Sequence, residues 1–167
     1  MTTDQYLHTL SYRIRIPVVL TYLGQLLFVV SLFSLVTLLV AILTEQYDAA
    51  LRYSLVIVLL GGLGFFSRNL RQVTDIQPNE ALVITSLAFL VVPALMAWPM
   101  MTAGISYGDA LFESISAVTT TGLSTVSTLE DKPMVFLFSR AWMQWVGGLG
   151  IVILTLAILS RPGMATR

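Results

Sequence analysis

Four consecutive residues, Thr119-Thr120-Thr121-Gly122, have the composition for one kind of chemistry, the coordination of a cation. Stripping water from an ion is expensive, so oxygens at similar distances must replace its hydration shell. Extended backbone can aim successive carbonyls at an axis, and Gly122 permits the positive φ that keeps them pointing the same way. The threonine hydroxyls can satisfy neighbouring groups or add further oxygen ligands. Such a run needs something to hold it. The residues just before it, Asp109 to Val118, suit a short helix with Ser106 as N-cap and Asp109 three positions on. Threonine is a poor helix former, so regular structure should stop near Thr119. The helix would then turn its partially negative C-terminal end toward the ion path. Asp109, Glu113, Glu130 and Asp131 outnumber Lys132 nearby and would concentrate cations at the mouth. The plainer alternative makes Thr119 to Thr125 an ordinary outer loop, with the preceding segment lying on a membrane surface.

A membrane is implied by composition. Hydrophobic residues make up 56% of the chain and charged residues 11%, with a mean hydropathy of +0.85. The formal net charge is zero, so nothing points to nucleic acid. No cysteine is present, which excludes disulfides, thiolate metal sites and thiol catalysis. The single histidine, His8, lies in a polar N-terminal tail and reads as inert. The sequence carries no metal-ligand cluster, and its lone Lys and lone His fall on opposite sides of the implied membrane. An enzyme is therefore not expected.

Four apolar runs follow one another. Ile16 to Leu43, opened by Pro17, would form a helix of roughly 42 Å at about 1.5 Å per residue. That exceeds a hydrocarbon core of about 30 Å, so it must tilt or end in the interface. Thr44 to Arg52 reads as a short loop. Tyr53 to Phe66 is the second run, extended backward by Ala49 to Leu51. A polar loop through Arg68, Arg71 and Pro78-Asn79-Glu80 leads to the third run, Ala81 to Met101, kinked at Pro93 and ended at Pro99. The fourth, Met134 to Leu159, is stopped by Ser160-Arg161-Pro162-Gly163. Residues 1–72 thus read as a two-helix hairpin, and residues 73–167 as outer helix, pore loop and inner helix. The fold expected is all-α, with four transmembrane helices and one re-entrant pore helix and filter loop between the third and fourth. Non-helical backbone at membrane depth is tolerated only where it is buried in protein or lines a wet path. With both termini cytoplasmic, Arg13, Arg15, Arg68, Arg71, Arg161 and Arg167 lie inside against Arg52 and Lys132 outside, the usual positive-inside bias.

Other polar residues have structural duties available. Glu113 could brace the threonine run from behind, neutralise Arg140, or face outer water; an ionisable group near membrane depth usually has a partner. Arg140 could instead snorkel to headgroups. Gln144 would tie to the loop or to another helix. Gly147, Gly148 and Gly150 serve either close helix packing or a gating hinge, and Trp98, Trp142 and Trp145 read as packing or interfacial aromatics. The tetrapeptide Gly-Gly-Leu-Gly recurs at 61–64 and 147–150, which reads as coincidence in a Gly/Leu-rich chain.

Phe112-Glu113-Ser114 running into Val118-Thr119-Thr120-Thr121-Gly122, followed by Arg140-Ala141-Trp142-Met143-Gln144-Trp145-Val146-Gly147-Gly148-Leu149-Gly150-Ile151, resembles the first pore repeat of the Trk/Ktr/HKT potassium transporters. The two leading spans are similar to the Trk membrane subunit. The resemblance runs from about Arg13 to Leu159. It implies K⁺ as substrate, with no covalent cofactor, and a prokaryotic plasma membrane as location. It implies that Thr120 and Thr121 offer backbone carbonyls to K⁺, with Gly122 as filter glycine and Thr119 beside it. It also implies two partners: the remaining pore repeats, and a cytoplasmic nucleotide-binding regulatory subunit. Family members carry four such repeats and this chain has one, a quarter of the oxygen cage. The remainder would lie on the same longer chain or on a second one. The rivals are a homotetrameric cation channel and a non-conducting membrane scaffold.

Overall fold

The structure, a computed structural model, describes residues 14–68 and 76–159. His8, Arg13, Arg71, Arg161, Arg167 and the expected stop at Ser160–Gly163 lie outside the described residues. In chain order the elements are α1 (Ile16–Leu43), α2 (Tyr47–Ser67), α3 (Pro78–Met100), a 3₁₀ turn (Met101–Ala103), α4 (Tyr107–Val118) and α5 (Met134–Leu159). The chain is an all-α membrane protein. Among the described residues, α1, α2, α3 with its 3₁₀ turn, and α5 are long and apolar enough to cross a bilayer. At 12 residues, or about 18 Å, α4 is too short to do so.

α1 has the bounds its apolar run predicts, and α5 begins where its run does, at Met134. α2 does not: it begins at Tyr47, so the expected loop over Thr44 to Arg52 shrinks to three residues. Inside the helix Asp48 and Arg52 sit one turn apart and pair at 3.3 Å, and Arg52 lies over the Trp98 ring. The reversal after α1 is tight because Glu45 takes a left-handed φ of 58°. Gln46 N–H then reaches back to the Ala41 carbonyl and Glu45 N–H to that of Ile42, the six-to-one and five-to-two closure of a helix end. α1 and α2 pack side by side where neither carries bulk. A Cβ at Gly24 would strike Ser67, and one at Gly64 would strike Phe28 and the Gly24 carbonyl.

α3 begins at Pro78 rather than Ala81, and the reason is Glu80. Its carboxylate is fully buried (0% exposed) and gathers the ends of two helices. It accepts the N–H of Arg15, the residue before α1, at 3.1 Å and that of Gln77, the residue before α3, at 3.0 Å. The Arg15 guanidinium closes on it through Nε at 2.8 Å and Nη2 at 2.9 Å. Free N–H groups at helix starts and a bidentate cation are what a buried carboxylate requires. Glu80→Ala should cost about 2–3 kcal/mol, because it removes the buried acceptor that two helix starts share. Thermal unfolding of the purified protein in detergent checks this, with Glu80→Gln expected to lose less.

The core joins both halves. Tyr53 and Leu60 of α2, Met96, Ala97 and Met100 of α3, Ala110 and Ala117 of α4, and Phe136 and Met143 of α5 form one buried cluster. Two long-range hydrogen bonds cross it. Tyr53 donates its hydroxyl to Ser139 Oγ at 2.7 Å, and Trp142 Nε1 donates to the Phe33 carbonyl at 2.8 Å. Trp142 is stacked between Phe138 and Trp145, so it packs rather than anchors.

Candidate functional site

α4 starts as its sequence dictates. Ser106 Oγ accepts the Asp109 N–H at 3.1 Å and donates to Asp109 Oδ2 at 2.7 Å, fixing the first turn. The helix presents Ala110, Glu113, Ser114 and Ala117, a stripe at helical spacing, to the protein interior. It packs against α3 and α5. Ser114 donates to Met100 Sδ at 3.0 Å on the α3 side.

The helix ends at Thr119 in an unusual way. Thr120 holds a left-handed φ of 59°, a conformation that costs a residue with a Cβ about 1–2 kcal/mol. Its N–H bonds the Ala117 carbonyl and the Thr121 N–H bonds that of Ser116, both at 2.9 Å. This is the closure used at the end of α1, with Thr standing where Gly is usual. The Gly122 N–H also reaches the Ser116 carbonyl, at 3.3 Å. φ is −82° at Thr119 and +77° at Gly122, while Thr121 is not among the positive-φ residues. The sign therefore alternates along the four positions. Alternation gathers the N–H groups on one side, here facing the helix, and leaves the carbonyls on the other. Among the described residues no hydrogen bond reaches the carbonyl oxygens of Thr119, Thr120, Thr121 or Gly122. The Thr119 hydroxyl donates to the Ile115 carbonyl at 2.7 Å and pairs with the Thr121 hydroxyl at 2.8 Å.

Behind the loop lies a buried ion pair. Glu113 is fully buried and Arg140 is 15% exposed; Arg140 Nε approaches Glu113 Oε2 to 2.6 Å. That approach is a contact of charges rather than an aligned hydrogen bond. The other oxygen, Oε1, accepts from Ser124 Oγ at 2.7 Å, the Thr125 N–H at 2.8 Å and Thr125 Oγ1 at 3.4 Å. Glu113 thus meets Arg140 with one oxygen and the strand leaving the threonine run with the other. Arg140 also lies over the Phe136 ring, turned inward instead of toward headgroups.

The remaining predicted residues lie on α5. Gln144 places its amide beside Gly122, 3.5 Å from where a Cβ there would stand. Gly147 faces the end of α4 so closely that any Cβ would strike the Val118 carbonyl. Gly148 stands 3.6 Å, measured the same way, from Thr120 Cγ2, and nothing crowds Gly150. The repeated tetrapeptide uses its last glycine for packing at 61–64 and its first at 147–150, as coincidence would have it. Ser116, Ser124 and Thr125 were not singled out by the sequence. Their only signal there was a hydroxyl close to the threonine run.

A cavity of about 440 Å³ lies among α1, α3 and α5 and reaches Val118 at the end of α4; Val29, Phe33, Ala88, Val92 and Val146 are among its walls. Ser34 and Thr85 spend their hydroxyls on the Val30 and Ala81 carbonyls, and Ser139 receives Tyr53. That cavity offers little to a cation. Among the described residues, the carbonyls of Thr119 to Gly122 are left without a donor at the end of α4.

Known proteins resemble this chain in sequence. Residues 49–166 match the family TrkH, described as a cation transport protein. A cation transporter of Methanocaldococcus jannaschii, itself uncharacterized, is 29% identical over 87% of this chain and 31% of its own length. The Trk system potassium uptake protein TrkI of Halomonas elongata is 32% identical over 84% of this chain and 29% of its own. The Trk system potassium uptake protein TrkH of Vibrio parahaemolyticus is 35% identical over 65% and 23% respectively. The chain spans less than a third of the length of these relatives.

Proposed function

The chain belongs to the TrkH family of cation transport proteins, and from that premise we propose that it forms one wall of a potassium uptake path. In this reading α4 is a re-entrant pore helix and Thr119 to Gly122 one filter strand of four. The observation that carries it is the row of carbonyls left without protein donors, on a backbone whose φ alternates in sign. A row of peptide oxygens with its N–H groups turned away offers a K⁺ ion a substitute for water. Thr120 and Thr121 would supply carbonyls to the ion, with Glu113, Arg140 and Gln144 as supports.

Residues 1–72 would be the N-terminal hairpin and residues 73–167 the pore repeat, with the termini on the cytoplasmic side. One strand gives one quarter of the cage, so the other three repeats must come from further polypeptide. The test is K⁺ uptake by cells that require high external potassium, expressing this chain alone and together with three further TrkH-family pore repeats. Uptake only in the combination supports the proposal. Uptake from the chain alone, with a stable tetramer in detergent, would show four identical copies around the path. No uptake in either case would make the chain a scaffold and overturn the transport reading.

A further inference from the structure

Ser116 holds the loop at two points with two different atoms. Its carbonyl takes the N–H groups of Thr121 and Gly122 at 2.9 and 3.3 Å. Its hydroxyl donates to the Leu123 carbonyl at 2.7 Å. The side chain is buried, although Leu123 itself is exposed. The first contact points two amides toward α4 and so leaves their neighbours' carbonyls on the opposite side. The second does the reverse to Leu123, drawing its carbonyl back toward α4. The row of free oxygens therefore ends at Gly122. Just beyond, Glu113 fixes Ser124 and Thr125, so Leu123 is the link between the row and an anchored strand.

We infer that the Ser116 hydroxyl sets the outer end of the coordinating row, and through it the discrimination between potassium and sodium. This rests on the filter reading proposed above. Ser116 is a positioning residue, since it acts through Leu123 and not on the ion. The physical reason is that ion preference depends on how many carbonyl dipoles a site presents and how firmly they are held. Without the hydroxyl, the Leu123 carbonyl has lost its buried donor and is free to join the row or to loosen Gly122.

The experiment measures Rb⁺ and Na⁺ uptake in cells carrying this chain with its remaining repeats, comparing the wild type with Ser116→Ala, Ser116→Cys, Ser116→Thr and Gly122→Val. Rb⁺ serves as the potassium probe. Ser116→Ala should keep Rb⁺ uptake and lower the Rb⁺/Na⁺ ratio about tenfold, the size expected from one buried hydrogen bond. Ser116→Thr, which retains the hydroxyl, should keep the wild-type ratio, and Ser116→Cys, a weaker donor, should fall between. An unchanged ratio in Ser116→Ala overturns the inference. Should that variant fail to reach the membrane, an unchanged ratio in Ser116→Cys overturns it equally, and a lowered one supports it. If Gly122→Val abolishes uptake while neither Ser116→Ala nor Ser116→Cys shifts the ratio, the role of Ser116 falls and the filter stands. If Gly122→Val transports normally, the filter itself falls.

Discussion

Gly122→Val is expected to cut potassium uptake at least about tenfold while the protein still reaches the membrane. At φ +77° a β-branched residue stands in the region that its Cβ disfavours most. The cost is about 1–2 kcal/mol, enough to depopulate the present backbone some fivefold to thirtyfold in favour of one with negative φ. Rotation of that peptide turns a carbonyl out of the row and brings an N–H toward a cation. Two further features raise the penalty. Thr120 already holds a strained left-handed φ two residues earlier, so the loop has little tolerance left. The new side chain would also grow toward the Gln144 amide, 3.5 Å from its Cβ. Gly122→Ala adds the least bulk and should lose less than Val. Initial uptake rates at saturating and limiting K⁺, normalised to membrane-inserted protein, decide the matter. Wild-type rates for Gly122→Val would mean that ions do not pass this backbone.

How much of this could be read beforehand depends on whether a residue acts locally. α1 came out with the expected ends, and α5 with the expected start, because their apolar runs begin or stop abruptly at polar residues. The start of α4 was legible for the same reason: Ser106 and Asp109 lie three apart, and their bond needs nothing from the rest of the chain. α2 and α3 began earlier than hydropathy suggests. Charged residues look like loop until their partners are known, and Glu80 becomes helical and buried through Arg15, 65 positions away. The threonine run and Gly122 stood out by composition alone. The left-handed turn at Thr120 did not, since sequence rules place Gly at that position. Nor did Ser116, Ser124 and Thr125, because a hydroxyl's partner is settled only when the turn that delivers it is formed. Gly147 was legible only as a small residue, because the Val118 carbonyl that leaves no room for a Cβ there belongs to another helix.

Glu113→Ala should be the most destabilising single change behind the loop, at about 3–5 kcal/mol, the range for removing one partner of a buried ion pair. The size follows from what stays behind. Arg140, 15% exposed, keeps its charge and loses its counter-ion. Ser124 and Thr125 lose their common acceptor, and the Thr125 N–H has no other. The two losses can be told apart. In Glu113→Gln an acceptor oxygen survives but the charge does not, so Thr125 should stay protected in hydrogen exchange while thermal stability falls. Replacing both partners, Glu113→Ala with Arg140→Met, removes the stranded cation and should recover part of the stability lost by the single change, but not the protection at Thr125. Unfolding of the purified protein in detergent gives the energies, and exchange at Thr125 reports on the strand. If Glu113→Ala costs less than about 1 kcal/mol, the value of an exposed pair, the carboxylate faces water in the working protein and does not brace the loop. If the double replacement restores exchange protection as well as stability, the strand is held by something other than this carboxylate.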